Sequence, residues 1–175
     1  ETALCVYALP RIHQIFVENI RSCFEGNGTQ GLDFISSVEP CVKTHVTITD
    51  DFCGMDVNNL INGQTPIEAN PVIEYSNVSL TAVAANPTSD FTVAYLGTSN
   101  GQLRRLVIED ARLAYEYSTT IVDPSRATPI NPDMRFDRRD KTADFIYVMN
   151  DRKVSLMKVQ ECNQHKTCAD CLSAR

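Results

Sequence analysis

The chain lacks tryptophan, and it has only three histidines and seven glycines in 175 residues. With so few imidazoles, and with neither a Gly-x-Ser-x-Gly nor a His-Glu-x-x-His motif, the sequence gives no sign of a hydrolase or a zinc protease. It also has no apolar run near the roughly 18 residues that a bilayer-spanning helix needs. These absences favour a binding role over a catalytic one.

Basic residues are scarce as well. Lysine and arginine number 16 against 22 aspartates and glutamates, which gives a formal net charge of -6 at pH 7. The densest basic stretch, residues 135–141, is interrupted by Asp137 and Asp140. A nucleic-acid-binding surface needs an array of Lys and Arg that neutralises phosphate charge. The sequence therefore predicts no nucleic-acid partner.

Against these absences stand seven cysteines in two clusters. Their positions are Cys5, Cys23, Cys41 and Cys53 in the first third and Cys162, Cys168 and Cys171 near the end. In an oxidising compartment an odd number leaves at least one thiol without a mate inside the chain. We therefore expect that some partners lie outside the chain, in a longer extracellular protein.

Two glycosylation triplets point to the same compartment. Asn27-Gly28-Thr29 and Asn77-Val78-Ser79 both fit the acceptor pattern, with no proline at the middle position. Asn27 also lies in a glycine-rich polar loop, where a glycan is tolerated. Together with the clustered cysteines, the triplets favour an extracellular setting.

The histidines, the cysteines and the adjacent carboxylates are the candidates for catalysis or metal binding. The second cysteine cluster, with His165, has the ligand types of a zinc site, but nothing follows that completes two spaced ligand pairs, so half-cystines are favoured. A redox Cys-x-x-Cys motif lacks the βαβ context it needs. His13 and His45 stand beside no nucleophile motif, and Asp50-Asp51 and Glu109-Asp110 are interpreted as turn and edge charges. We assign no catalytic, metal or cofactor residue.

The first third of the chain is predicted to be irregular apart from one helix over residues 10–24. Its expected apolar face repeats at helical spacing and consists of Ile12, Ile15, Phe16, Ile20, Cys23 and Phe24. Pro10 suits the first turn, and Gly26 supplies a left-handed stop after the last apolar residue. Residues 25–70 show no sustained period, and a connection of that length is unusual unless it is tied down, which cysteines can do.

From residue 79 the pattern changes to strands that repeat. The predicted strands are 79–85, 91–97, 103–108 and 115–122, followed after a proline-containing break by Met134 and Phe136, 145–149 and 154–159. Asn100-Gly101 between apolar runs is a strong hairpin signal. Tyr95 and Tyr147 mark equivalent places about fifty residues apart, and a four-strand unit with that period is typical of β-propeller blades.

Specific stretches of the chain resemble a known family. The run YVMNDRKVSLMKVQECNQHKTCADCL resembles the last blade of a plexin sema domain that continues into a PSI module, and AYLGTSNGQLRRLVI resembles the central hairpin of the sixth blade. Four earlier stretches resemble an insertion that projects from the fifth blade: ALCVYALPRI, RSCFEG, DDFCGMDVNN and TPIEANPVIEY. The set, with the Phe-Cys-Gly step at Phe52, is most similar to A-type plexins.

The resemblance implies an all-β fold: roughly blades 5–7 of a seven-bladed β-propeller, with one helix in a disulfide-tied insertion. Residues 1–161 would be the C-terminal portion of the sema domain, with the insertion at about 8–70 and the last blades at about 71–161. Residues 162–175 would begin the PSI domain, of which only the first three of eight cysteines are present.

The resemblance also implies a disulfide map. Cys23 pairs with Cys41, while Cys5 and Cys53 pair with cysteines upstream of the chain. The three cysteines of the second cluster, Cys162, Cys168 and Cys171, pair with cysteines downstream. By closing a loop, the Cys23–Cys41 bond would stabilise the folded state by on the order of 3 kcal/mol.

For function, the resemblance implies the ectodomain of a single-pass cell-surface receptor for semaphorins, which signals in cell and axon guidance. The protein ligand would bind mainly through blades absent from the chain, the receptor could form homo-oligomers, and a membrane segment would lie outside the chain. Two alternatives remain: a semaphorin ligand or scatter-factor-type receptor with the same fold, and an extracellular propeller enzyme.

Overall fold

A computed structural model describes residues 1–31, 37–49, 52–88, 90–138 and 145–159. The chain divides into two compact units. One is Tyr7–Ala69, and the other combines Glu1–Val6 with the chain from Asn70 onward. The predicted PSI residues 162–175, with Cys162, Cys168 and Cys171, lie outside the described residues, as do Asp50 and Asp51.

The described chain contains one α-helix, which lies between the first strand and a long series of further strands. In chain order they are β1 (Thr2–Cys5), α1 (Leu9–Phe24), β2 (Thr29–Gln30), β3 (Glu39–Pro40), a 3₁₀ helix (Asp56–Asn58), β4 (Ile61–Asn62), β5 (Pro71–Tyr75), β6 (Leu80–Pro87), β7 (Thr92–Thr98), β8 (Gln102–Ile108), β9 (Ala114–Ile121), β10 (Arg135–Asp137), β11 (Phe145–Met149) and β12 (Val154–Lys158). No helix in the described ranges is long and apolar enough to cross a membrane.

The helix of the first unit begins and ends where the sequence predicts, within one residue. Pro10 lies in its first turn, and the N–H of Gly26, a residue with φ of 93°, closes the end on the carbonyl of Cys23. Its buried residues are Ile15, Val17, Ile20 and Cys23.

The predicted apolar face is wrong at Phe16, whose side chain is 49% exposed, whereas Val17 is 4% exposed. Phe16 lies on the same stripe as Leu9, which is 77% exposed. Because helical side chains lean toward the N-terminus, Phe16 covers the earlier half of the helix, where this stripe is open. The stripe becomes buried one turn later, at Ile20 and Cys23.

The long irregular connection is tied down by three kinds of contact. Cys23 and Cys41 form a disulfide with Cα atoms 5.1 Å apart. The amide side chain of Asn19 both donates to and accepts from the backbone of Thr65, each at 2.9 Å. Three two-residue strands form the sheet β3-β2-β4, in which the central residue Thr29 pairs with strands on both sides.

The other unit contains a four-stranded antiparallel meander in the order β6-β7-β8-β9. Its central hairpin turns at Thr98–Gly101, as predicted, and Gly101 has φ of 77°. The Thr98 hydroxyl fixes the turn because it donates to the Gln102 carbonyl and accepts from the Gln102 N–H. The predicted strand bounds differ from the observed ones by one or two residues.

A second meander follows in the order β10-β11-β12, again as the sequence predicts. A separate two-stranded sheet pairs β1 with β5, so that Thr2 lies opposite Tyr75. This ladder was not predicted, because its strands are short and about seventy residues apart in the chain. Its two strands flank the Tyr7–Ala69 segment in the sequence.

The four-stranded sheet is buried on both faces. On one face Ala94, Leu96 and Leu106 pack with Leu4 and Ile73 of the two-stranded sheet. The other face packs against the three-stranded sheet, and its cluster comprises Ala82, Tyr95, Leu103, Val122, Ile130, Met134, Ile146, Val148 and Val159. A sheet that is covered on both sides is typical of a stack of successive layers.

Tyr95 and Tyr147 occupy equivalent faces in this stack. Ala94 and Leu96 beside Tyr95 face the preceding sheet, and so do Ile146 and Val148 beside Tyr147. Both tyrosines therefore point toward the position of the following sheet. Tyr95 is fully buried there by the three-stranded sheet, whereas Tyr147 is half-buried.

The face of the three-stranded sheet that carries Tyr147 also carries apolar side chains from β12. Leu156 pairs with Tyr147 and is 49% exposed, and Val154 pairs with Met149 and is 61% exposed. No sheet of the described ranges covers this face.

Candidate functional site

The cysteines of the first cluster fall into two states. Cys23 and Cys41 are buried, and their disulfide joins the helix to the residue that directly follows β3. Cys5, at the end of β1, is exposed, and Cys53 is half-buried; both are free thiols. The three remaining cysteines lie outside the described residues.

Both asparagines of the glycosylation triplets are exposed. Asn27 follows the helix, where its N–H donates to the Ser22 carbonyl at 2.9 Å. Asn77 lies in the turn between β5 and β6. The structure thus places both amides where solvent reaches them.

The candidate histidines and acidic residues that the structure describes are surface groups, and Glu109 and Asp110 are both exposed. His13 and His45 are exposed. Asp110 accepts hydrogen bonds from the N–H groups of Arg112 and Leu113, which is an ordinary turn interaction. Among the described residues no group of three His, Cys, Asp or Glu side chains is arranged to hold a metal ion.

The main polar cluster lies between the two-stranded and four-stranded sheets. Glu116 of β9 accepts hydrogen bonds from Tyr75 Oη at 2.7 Å and Arg104 Nη1 at 2.9 Å, and also from the Thr119 hydroxyl. The guanidinium of Arg104 lies 4.7 Å above the centre of the Tyr75 ring. Such a cation–π contact adds roughly 0.5–2 kcal/mol to a partly desolvated pair.

This cluster shifts two pKa values in opposite directions. Burial, and then the hydrogen bond to the negative Glu116, raise the pKa of Tyr75 to about 12. Burial by itself raises the pKa of Glu116, but the hydrogen bonds from Thr119, Tyr75 and Arg104 outweigh it and hold that pKa below its ordinary value. At neutral pH the cluster is therefore a carboxylate, a guanidinium and a neutral phenol.

A second arginine occupies the opposite face of the same strand. Arg105 is 3% exposed, and its guanidinium donates to Thr120 Oγ1 at 2.8 Å, Ser118 Oγ at 3.3 Å and the Lys158 carbonyl at 3.3 Å. A buried charge is tolerated only when it is paired with polar atoms, and hydroxyl and carbonyl oxygens provide that here. Arg105 thereby joins the four-stranded sheet to the end of β12.

Tyr95 makes a parallel connection on the same face. Its Oη donates to the Val159 carbonyl at 3.0 Å, and its ring meets Phe136 edge-on with centroids 5.4 Å apart. Burial raises the pKa values of Tyr95 and Tyr117, so both phenols are neutral. These are the properties of fixed structural contacts between layers.

Sequence reasoning missed Tyr75, Arg104, Arg105 and Glu116. A signal was present: two adjacent arginines interrupt the apolar strand that runs from Leu103 to Ile108. Adjacent strand residues point to opposite faces, so both faces of a doubly buried strand had to supply oxygen partners. The arrangement provides rigidity between layers, and no nucleophile–base pair is part of it.

Comparisons with known proteins bear on this arrangement. The family model described as "Sema domain" matches residues 1–137. Human Plexin-A2 is 31% identical over 178 aligned residues, which cover 99% of this chain and 9% of that protein. Zebrafish (Danio rerio) Plexin A3 is 33% identical with the same coverage. The chain thus spans about a tenth of the length of these relatives.

Among solved structures, the extracellular region of Plexin A4 superposes with a TM-score of 0.83 at 27% identity, covering 98% of this chain and 17% of that one. Drosophila Plexin A, solved in complex with Semaphorin 1b, gives a TM-score of 0.55 at 20% identity over 90% of this chain and 36% of that one, and supports the fold alone. The resemblance to A-type plexins and the β-propeller class that the sequence predicts are confirmed.

Proposed function

The chain belongs to the Sema domain family, and on that premise we propose that it forms part of the extracellular ligand-binding region of a plexin-type receptor for semaphorins. The observation that carries the proposal is the extent of the likeness to the Plexin A4 extracellular region. It covers 98% of the chain, and so includes the Tyr7–Ala69 unit as well as the blades. Drosophila Plexin A, which shares the fold, was solved in complex with Semaphorin 1b, and we propose the same class of partner for this region.

A binding role fits the physical character of the blades. The four-stranded sheet is packed on both faces, and Arg105 and Tyr95 tie it to the next sheet through buried hydrogen bonds. A rigid platform loses little conformational entropy when a protein docks, so more of the contact energy remains as affinity. Loops and blade edges on such a platform provide the recognition surface, with most ligand contacts on blades outside this chain.

The further assignments of the chain follow from the same premise. Residues 1–161 form the C-terminal portion of the propeller, and residues 162–175 begin a PSI module. Five cysteines pair with cysteines outside the chain: Cys5, Cys53, Cys162, Cys168 and Cys171. The support is that Cys5 and Cys53 are free thiols, whereas Cys23 and Cys41 are bonded to each other. A transmembrane segment outside the chain anchors the receptor, with the region on the outer face of the plasma membrane, and receptor copies associate.

The alternatives are less well supported. A semaphorin ligand or a scatter-factor-type receptor shares the fold, but the curated relatives quoted above are plexins that match 99% of the chain. An extracellular enzyme needs converging nucleophile, base and oxyanion groups. The polar clusters of the described ranges are salt-bridged or hydrogen-bonded between layers, so we propose that the region acts by binding.

The test uses the parent ectodomain that contains this chain, captured on a sensor surface. Recombinant semaphorin ectodomains from the same organism are passed over it, and we expect at least one to bind with a Kd on the order of micromolar or tighter. The matched control is the same ectodomain with the propeller deleted, which should bind none. If every semaphorin fails to bind at about 100 µM, well above that range, the proposal is wrong.

A further inference from the structure

We propose that Asn27 and Asn77 both carry N-linked glycans, and that the glycan at Asn27 is attached before the Cys23–Cys41 disulfide closes. The inference rests on the proposed extracellular role, because only a chain that enters the secretory pathway meets the transferase. It goes beyond that role because it orders two covalent events during folding. The two triplets differ in structure, and that difference carries the argument.

At Asn27 the amide is accessible but the rest of the triplet is not free. Gly28, with φ of 82°, packs against the side chain of Gln64, and its added Cβ would lie 3.1 Å from Gln64 Cγ. Thr29 lies in β2, the central strand of the small sheet, opposite Pro40 of β3 on one side and Asn62 of β4 on the other. The Thr29 hydroxyl accepts a hydrogen bond from Asn62 Nδ2 at 3.1 Å.

The transferase must hold the acceptor asparagine and the hydroxyl of the third residue together. At Asn27 it would have to pull Thr29 out of a strand with neighbours on both sides. The disulfide fixes one of those neighbours, because Cys41 directly follows Pro40 and its N–H donates to the Gly28 carbonyl at 3.0 Å. Once Cys23 and Cys41 are joined, the triplet is locked in its folded pairing.

At Asn77 the triplet lies in a turn that no disulfide of the described ranges constrains. Asn77 and Ser79 are both exposed. The turn is held by hydrogen bonds to two of its carbonyls: the Val78 carbonyl accepts from the Thr2 hydroxyl at 2.9 Å, and the Ser79 carbonyl accepts from the Ser99 N–H at 2.8 Å. A surface turn of this kind opens locally at low cost, so modification here does not depend on the state of the cysteines.

The chemical step is the same at both sites. The side-chain amide nitrogen bonds to C1 of the first sugar of a lipid-linked diphosphate oligosaccharide and loses one proton. The bond between C1 and the diphosphate oxygen breaks, and the lipid diphosphate leaves with the bonding electrons. No oxidant or reductant is needed.

Site occupancy is measured on the parent protein secreted from animal cells. Enzymatic deglycosylation in heavy-oxygen water converts each glycosylated Asn to isotopically labelled Asp, which peptide mass spectrometry detects. We expect label at Asn27 and Asn77, and loss of one glycan each from Asn27→Gln and Asn77→Gln. The exposed Asn59, which lies in no acceptor triplet, is the internal control and should stay unlabelled. Absence of label at either acceptor overturns that part of the proposal.

The order of events is tested by pulse labelling, with thiols alkylated at intervals during the chase. Glycan at Asn27 should first appear on chains in which Cys23 is still a free thiol, which the alkylating reagent labels. Chains that close the disulfide without a glycan should never gain one at Asn27. Asn77 is the matched comparison, since it should gain glycan before and after closure. Gain of glycan at Asn27 after closure overturns the ordering.

The outcomes separate this inference from the proposed function. Label at both asparagines without any semaphorin binding contradicts the receptor role alone. Semaphorin binding by an ectodomain that is unmodified at both sites contradicts the glycans alone.

Discussion

Tyr95 Oη donates a 3.0 Å hydrogen bond to the carbonyl of Val159, and so the middle of the four-stranded sheet holds the end of the last described strand. Arg105, opposite Tyr95 on the neighbouring strand, donates to the preceding carbonyl, that of Lys158. Two buried donors thus fix two successive carbonyls. Both contacts hold the end of β12 against the four-stranded sheet.

We therefore predict that Tyr95→Phe loosens the end of β12 without disturbing the sheet. The substitution leaves the Val159 carbonyl buried and without this donor, which costs about 1–2 kcal/mol. Hydrogen exchange of the peptide that contains residues 154–159, measured in the parent ectodomain, should speed up roughly tenfold, since about 1.4 kcal/mol corresponds to that factor.

Tyr115→Phe is the matched control. Tyr115 lies in the same sheet, is half-buried, and has no hydrogen-bond partner for its hydroxyl in the described part of the chain. Its substitution should leave exchange in residues 154–159 unchanged. Equal acceleration by both substitutions would contradict a specific role for the Tyr95 hydroxyl.

Glu116 predicts a pH dependence of stability. Its pKa is lowered in the folded state, so its contribution is present above the unfolded value of about 4.5 and is lost as pH falls through the folded value. Glu116→Gln should reduce the free energy of unfolding by about 1.5–3 kcal/mol at pH 7, as for a hydrogen bond to a charged group. The variant should also flatten the acid side of a melting-temperature profile below the unfolded value of about 4.5.

Glu74→Gln is the control for this profile. Glu74 is an exposed carboxylate on β5 without a hydrogen bond in the described ranges. Its substitution should keep the wild-type pH dependence. A Glu116→Gln profile parallel to that of the wild type would refute the role assigned to the carboxylate.

Gly97 is predicted to tolerate no side chain. A Cβ there would lie 2.5 Å from Ile130 Cγ2 and 2.9 Å from Ala82 Cβ. Overpacking of this kind costs about 2 kcal/mol, so Gly97→Ala should lower the melting temperature. Combined with Ile130→Ala, which removes Cγ2 but leaves Ile130 Cβ 2.7 Å from the added Cβ, it should cost less than the sum of the two single changes. Strict additivity would show that the two residues do not compete for space.

The Cys23–Cys41 bond is predicted to stabilise the Tyr7–Ala69 unit. Chain-entropy reasoning for a loop of this length gives about 3 kcal/mol. The Cys23→Ser/Cys41→Ser variant should therefore be cleaved faster by protease within that unit than in the blades. Non-reducing peptide mapping of the parent should recover the linked pair, with Cys5 and Cys53 each joined to a peptide from outside the chain. A peptide that links Cys5 to Cys53 would contradict this map.

Local signals in the sequence were sufficient for the helix and for both meanders. Pro10 and Gly26 bound the helix, and Asn100-Gly101 marks the central hairpin, because the backbone geometry of a cap or a tight turn restricts the residue types. The Tyr95–Tyr147 repeat predicted equivalent faces, which the packing bears out.

Nonlocal contacts were beyond the sequence pattern. The β1–β5 ladder joins Thr2 to Tyr75, and no periodicity within four or five residues specifies a partner so distant. The exposure of Phe16 depends on where cover begins along the helix, which periodicity does not encode. The polar clusters at Arg104 and Arg105 were missed for the same reason, because Glu116, Ser118 and Thr120 reach them through strand register.

We propose that the sheets β1-β5, β6-β7-β8-β9 and β10-β11-β12 are successive blades of one propeller. The most direct measurement is the burial of Tyr147 in a solved structure of the parent ectodomain. We expect a further blade to cover Tyr147 and Leu156 as the three-stranded sheet covers Tyr95. A parent structure in which this face remains open to solvent, or closes onto the four-stranded sheet as a sandwich, would contradict it.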